Sequence, residues 1–167
     1  ARFAAGIAAK DSGRKEAARE DLNLAISAFN AATAMATSDA SIHESLAEAW
    51  LQLLNLDIWD GRPYRSALDP LLAACDAAIT SNPRSANAHS KKARAYFLVS
   101  EVLLRNGQDP RPVLDLSIQN SLAAKKLDPQ DAIALDSIGN CYIGIAHYAM
   151  KKGQDPLPFL ERALAAI

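Results

Sequence analysis

The chain has 167 residues and a formal net charge of −1, from 18 basic and 19 acidic side chains. That balance excludes a polycation gripping nucleic acid nonspecifically, and it excludes a polyanionic tail. Half of the residues are hydrophobic, largely Ala and Leu, while aromatics make up 6% and Gly numbers 7, a composition that favours helices over sheets.

In chain order, apolar residues at three- and four-residue spacing predict helices near 2–11, 16–36, 40–59, 64–80, 86–106, 110–127, 131–152 and 156–167. No apolar run approaches the roughly 20 residues that span a bilayer, so no membrane insertion by this segment is expected. The second stretch carries Ala25, Phe29 and Ala32 on one face. The third contains IHESLAEAW, where His43 and Glu44 invite a metalloprotease reading. That motif needs a second His one turn later, and Ala47 stands there instead.

The phrase Gly-Gln-Asp-Pro-x-Pro-x-Leu follows the fifth stretch at Gly107 and returns after the seventh at Gly153. Its interval is 46 residues, and stepping back once more lands on Gly61. The same step links Pro83 to Pro129, Tyr96 to Tyr142, Ala88 to Ala134, and Leu68 to Leu114 and Leu160. Gly suits the left-handed residue that ends a helix. Asp155 then caps the next helix, with Pro156 at its first position, where a missing N–H costs nothing. The phrase is a corner, and the chain is an array of repeats. Short corners set neighbouring helices antiparallel, which predicts an all-α fold, a solenoid of helix pairs across residues 1–167 with partial units at both ends. Tyr96 and Tyr142 are expected at equivalent buried positions.

Leu135, Ile138-Gly139 and Tyr142, with Ala124 and Pro129, resemble the tetratricopeptide repeat family. Ala93, Tyr96, Ala78 and Pro83 carry the same pattern in the preceding unit, and Ala25, Phe29 and Ala32 carry it earlier. The resemblance implies a right-handed solenoid. Its usual period is 34, and the longer unit here lengthens the first helix by about three turns. Long units with this corner resemble arrays appended to bacterial serine/threonine protein kinases, although no kinase motif is present. Lys92 stands where the family prefers Leu, and Ser121 and Cys75 stand where it prefers an aromatic.

The resemblance implies a noncatalytic scaffold for signalling that binds a peptide or protein along a concave groove. The groove positions it projects are Glu44, Glu48, Asn87, Ser90, Lys91, Arg94, Asp136 and Asn140, with Gln52, Leu98 and Gly144 alongside. The added turns contribute Asn55, Glu101, Arg105, His147 and Lys151. Only Lys91, Arg94 and Asn140 could serve a carboxylate clamp of the kind some family members carry. A structural spacer or self-association module is the alternative, with homo-oligomers forming through the solenoid ends.

No cofactor, metal site or catalytic set is expected. GxxxxGK[ST], GxGxxG and GxSxG are all missing, and no Ser, His, Asp spacing stands out from chance. His43 and His89 share one repeat position with Leu135 and are read as interface residues. Cys75 and Cys141 lack CxxC spacing and are read as buried inert thiols of a cytoplasmic protein. The chain opens Ala-Arg-Phe without Met and is taken as a fragment of a larger protein.

Overall fold

The computed structural model describes residues 15–166. Among them are seven helices and no strand: α1 (Lys15–Met35), α2 (Ala40–Trp59), α3 (Arg65–Ser81), α4 (Ala86–Arg105), α5 (Arg111–Leu127), α6 (Ala132–Lys151) and α7 (Leu157–Ala166). Each falls within a residue of its predicted bounds. The helix predicted near 2–11 lies outside the described residues.

The 46-residue step is written into the backbone. Gly61, Gly107 and Gly153 have φ of 69°, 71° and 69°, the left-handed conformation that a side chain would resist. Each closes a helix with the same two hydrogen bonds. The glycine N–H reaches the carbonyl three residues back, at Ile58, Leu104 and Met150. The next N–H reaches five back, from Arg62 to Asp57, Gln108 to Leu103 and Gln154 to Ala149.

A second corner repeats in step with the first. The N–H groups of Ala36, Asn82 and Asp128 bond Ala32, Ala78 and Ala124, and those of Asp39, Ser85 and Asp131 then bond Ala36, Asn82 and Asp128. Asp39, Ser85 and Asp131 also cap the helices that follow. Asp39 accepts the N–H of Ser41, Ser85 accepts that of Ala88, and Asp131 accepts those of Ile133 and Ala134, all at 2.9–3.0 Å. The caps keep the same 46-residue spacing as Pro83 and Pro129 of this corner.

One detail of the first corner differs from the reading above. Asp155 Oδ1 accepts the N–H of Leu157 and Asp109 Oδ1 that of Arg111, both at 3.0 Å, so the carboxylate skips the proline. Pro110 then holds the cap position of α5, and its carbonyl accepts the N–H of Leu114. Proline has no N–H to offer the carboxylate, and the bond moves one residue on.

The described residues fall into two compact units that divide after Ala88, in the first turn of α4. In the first, α1 packs on α2 and α2 on α3, around Leu22, Leu54, Leu56, Leu71 and Cys75. Asp57 is buried with them and pairs with Arg19, whose Nη2 also reaches Asp60 at 3.1 Å. Lys15 closes on Asp60 at 2.6 Å.

In the second unit α5 packs on α6 and α6 on α7, and Ser117 Oγ of α5 donates to the Ala93 carbonyl of α4 at 2.8 Å. Its core joins Leu114 and Ile118 to Cys141 and Ile145, with Phe97, Tyr142 and Phe159 packed against them. Tyr96 and Tyr142 are half-buried. This corrects the expectation that both are buried. The enclosed tyrosine is Tyr148, 8% exposed, in the added turns of α6.

Candidate functional site

The second unit contains a cavity of about 190 Å³ between α4 and α6, closed at one end by Pro110 and Leu114. Phe97 and Leu104 of α4 and Ile143 of α6 complete an apolar floor, while Glu101, Asn140 and His147 stand at its edge. Drug-sized ligands and cofactors occupy pockets of about 300–1,000 Å³, and this space is smaller than that. Ser100 also lines it, but its hydroxyl donates to the Phe97 carbonyl at 2.7 Å and adds no polarity to the floor.

Gly144 keeps the cavity open. The same repeat position carries Leu98 in α4 and Gln52 in α2. A Cβ at Gly144 would lie 3.3 Å from Leu114 Cδ1. Gly144→Ala should therefore do two separable things. Replacing a mid-helix glycine should stabilise the protein by about 0.5–1 kcal/mol if the fully buried Leu114 side chain shifts by a fraction of an ångström to admit the methyl. It should also narrow the cavity and weaken any ligand seated there. A urea titration checks the first effect, and a lowered midpoint would mean that Leu114 cannot shift.

The eight residues projected onto a groove have diverse placements. Glu44 is engaged with the start of α4: its two oxygens accept Ser85 Oγ at 2.6 Å and Asn87 Nδ2 at 2.7 Å. Ser90 is buried, and its hydroxyl donates to Asp131 Oδ2 at 2.6 Å. These three residues tie helices together. Leu98 is likewise buried, 4% exposed.

Glu48 accepts Gln52 Nε2 at 2.8 Å along α2, and the Arg94 guanidinium lies 5.5 Å from the Phe97 ring along α4. Lys91 is half-buried. Asp136 accepts Asn140 Nδ2 at 2.9 Å, which steadies the Asn140 amide at the cavity edge. Of the eight, Asn140 alone lines the cavity, joined there by Glu101 and His147 from the added turns.

Among the described residues no cluster of His, Cys, Asp and Glu could hold a metal ion. His43 Nε2 lies 2.9 Å from the Thr37 carbonyl and His89 is half-buried beside Asn120, both at repeat positions as read from sequence. Cys75 and Cys141 are free and buried. Burial pushes the Cys141 thiol up to about 11, although the Ser117 hydroxyl 3.1 Å from its sulfur draws it down a little. The thiolate is the nucleophile, so Cys141 is inert at neutral pH.

The corner below the cavity is pinned by charge. Arg111 Nη2 contacts Asp109 Oδ2 at 2.6 Å, and this bond, with the Arg111 backbone N–H, holds the Asp109 carboxyl below its ordinary value. A depressed carboxylate adds stability that is complete above the unfolded value of about 3.9 and is lost as pH falls through the lower folded value. The corner should thus stay intact at pH 4 and loosen only in stronger acid. A carboxyl NMR titration should give Asp109 a lower midpoint in the native protein than in an Arg111→Gln variant, and equal midpoints would show that the Arg111 bond is not held in solution.

No helix among the described residues is long and apolar enough to cross a membrane. No protein-family model matches the chain, and no curated protein matches it.

Proposed function

We propose that the protein is a noncatalytic interaction module, a tetratricopeptide-like right-handed array of long helix pairs that binds a peptide or a protein segment. The observation that carries this reading is the cavity between α4 and α6, with its apolar floor and polar edge. One aliphatic side chain of the ligand enters between Phe97, Leu104, Leu114 and Ile143. The Asn140 amide meets ligand backbone, and the Glu101 carboxylate favours a ligand with Lys or Arg beside its anchor. The corner spelling supports a place in a cytoplasmic bacterial signalling protein such as a serine/threonine kinase.

The test is a display selection of peptides on the intact chain, repeated on Gly144→Leu and Glu101→Lys variants. Selected sequences should pair an aliphatic residue with a basic one, lose binding to Gly144→Leu, and lose the basic preference with Glu101→Lys. Peptides that bind Gly144→Leu unchanged would move the site elsewhere.

A further inference from the structure

Asn106 is the one asparagine of the sequence that a glycine follows. An asparagine carboxamide is open to attack by the backbone nitrogen of the next residue, and glycine presents that nitrogen with no Cβ to hinder the approach. Every other asparagine stands inside a helix or, at Asn82, before a proline that has no N–H to lose. Asn106 instead lies just past the end of α4, where it is exposed. Nothing lies within 4 Å of the place a Cβ would take on Gly107, so the corner has room for a new ring.

The corner after α2 supplies an internal comparison, because Asp60-Gly61 can close the same ring and has the same backbone. The φ values of Gly61 and Gly107 are 69° and 71°, and their N–H groups reach the Ile58 and Leu104 carbonyls at 3.3 and 3.2 Å. The two side chains differ in what holds them. Lys15 Nζ grips the Asp60 carboxylate at 2.6 Å and Arg19 Nη2 at 3.1 Å, and these bonds keep its carboxyl below the ordinary value. A carboxylate that is ionised and held by two cations is a poor electrophile. Among the described residues no partner ties down the Asn106 carboxamide.

We infer that Asn106-Gly107 is a self-modification site, where the chain converts its own asparagine to aspartate or isoaspartate. The Gly107 nitrogen loses its proton to hydroxide when its bond to the Leu104 carbonyl opens, and it attacks Asn106 Cγ. A C–N bond forms, the carboxamide nitrogen takes a proton from water and leaves as ammonia, and a succinimide results. Water then opens one of the two ring carbonyls. The net change exchanges one water for one ammonia, and nothing is oxidised or reduced. One opening leaves aspartate on the original main chain, which reproduces Asp60 and suits the corner. The other leaves isoaspartate, whose main chain runs through Cβ and is one carbon longer. That extra carbon displaces the N–H groups of Gly107 and Gln108 from the Leu104 and Leu103 carbonyls, and Leu104 is a wall of the cavity.

The test holds the whole chain in mildly alkaline buffer and follows it by peptide mapping that separates aspartate from isoaspartate. A free peptide copying residues 101–112 gives the time scale of the same sequence without the fold. Asn106 should convert before any other residue, and Asp60 should stay unmodified over the same period. Asn106→Gln should abolish the conversion, because glutamine must close a larger and slower ring. In urea titrations the purified isoaspartate form should have a lower midpoint than the parent, while Asn106→Asp should stay close to it. The inference is overturned if Asn106 is intact when the free peptide is spent, or if Asp60 converts as fast as Asn106. It is also overturned if the isoaspartate form keeps the midpoint of the parent, since the corner would then not depend on the path of its main chain.

Discussion

Replacing Asp57 with alanine should cost about 3 kcal/mol, the lower end of what breaking a buried ion pair costs. Asp57 is 4% exposed and holds the Arg19 guanidinium, whose side chain is 15% exposed. Removing the carboxylate leaves that cation enclosed with Asp60 as its remaining acid. Arg19 Nε already has no hydrogen-bond partner, so the site has little spare capacity to solvate the charge. The loss should appear as a lowered urea midpoint, and a change under about 1 kcal/mol would mean that water reaches Arg19 once Asp57 is gone.

The repeat suggests how the loss can be undone. The positions equivalent to Asp57 are Leu103 and Ala149, while those equivalent to Arg19 are the exposed Arg65 and Arg111. Asp57→Leu gives the first unit the residue that its sister position in α4 uses, and Arg19→Met removes the cation that the change would otherwise leave enclosed. The double variant should recover most of the stability lost in Asp57→Ala, because apolar replacement of a buried pair is often neutral or better.

The second large effect is at Tyr148. Its ring is 8% exposed, with the Arg111 guanidinium 5.1 Å and the Lys152 ammonium 5.4 Å from its centre. It joins the end of α6 to the Asp109–Arg111 corner that starts α5. Tyr148→Ala should cost about 3–4 kcal/mol through the cavity it leaves and the lost cation–π contacts. Tyr142 is half-buried, with Arg162 6.0 Å from its ring, and Tyr142→Ala should cost about half as much. Equal losses in parallel urea titrations would show that Tyr142 becomes enclosed in solution and that the two positions share the burial.

Much of the fold was legible because it depends on local chemistry. A left-handed glycine two or three residues before Pro stops one helix and starts another regardless of distant contacts, so Gly61, Gly107 and Gly153 marked their corners. The caps Asp39, Ser85 and Asp131 were equally legible, as residues with side-chain oxygens spaced at the repeat interval. The prolines of these corners, Pro83 and Pro129, stand two residues before Ser85 and Asp131, while Thr37 holds that place before Asp39. Projected groove positions were less informative. Glu44, Asn87 and Ser90 looked like free polar groups on a helix face, and a sequence cannot tell a solvated carboxylate from one that accepts two donors of another helix.

The sequence by itself determined the seven described helices, their corners and the 46-residue period, since each follows from propensity, capping and left-handed glycine within a few residues of chain. Only the tertiary structure decided which tyrosine is enclosed, which polar residues are consumed in tying helices together, and where an opening remains. Those outcomes depend on what lies across from each side chain. Gly144 forms a cavity because Leu114 faces it and stops short, and Leu164 is bare because nothing in the described structure covers it as α6 covers Ile118.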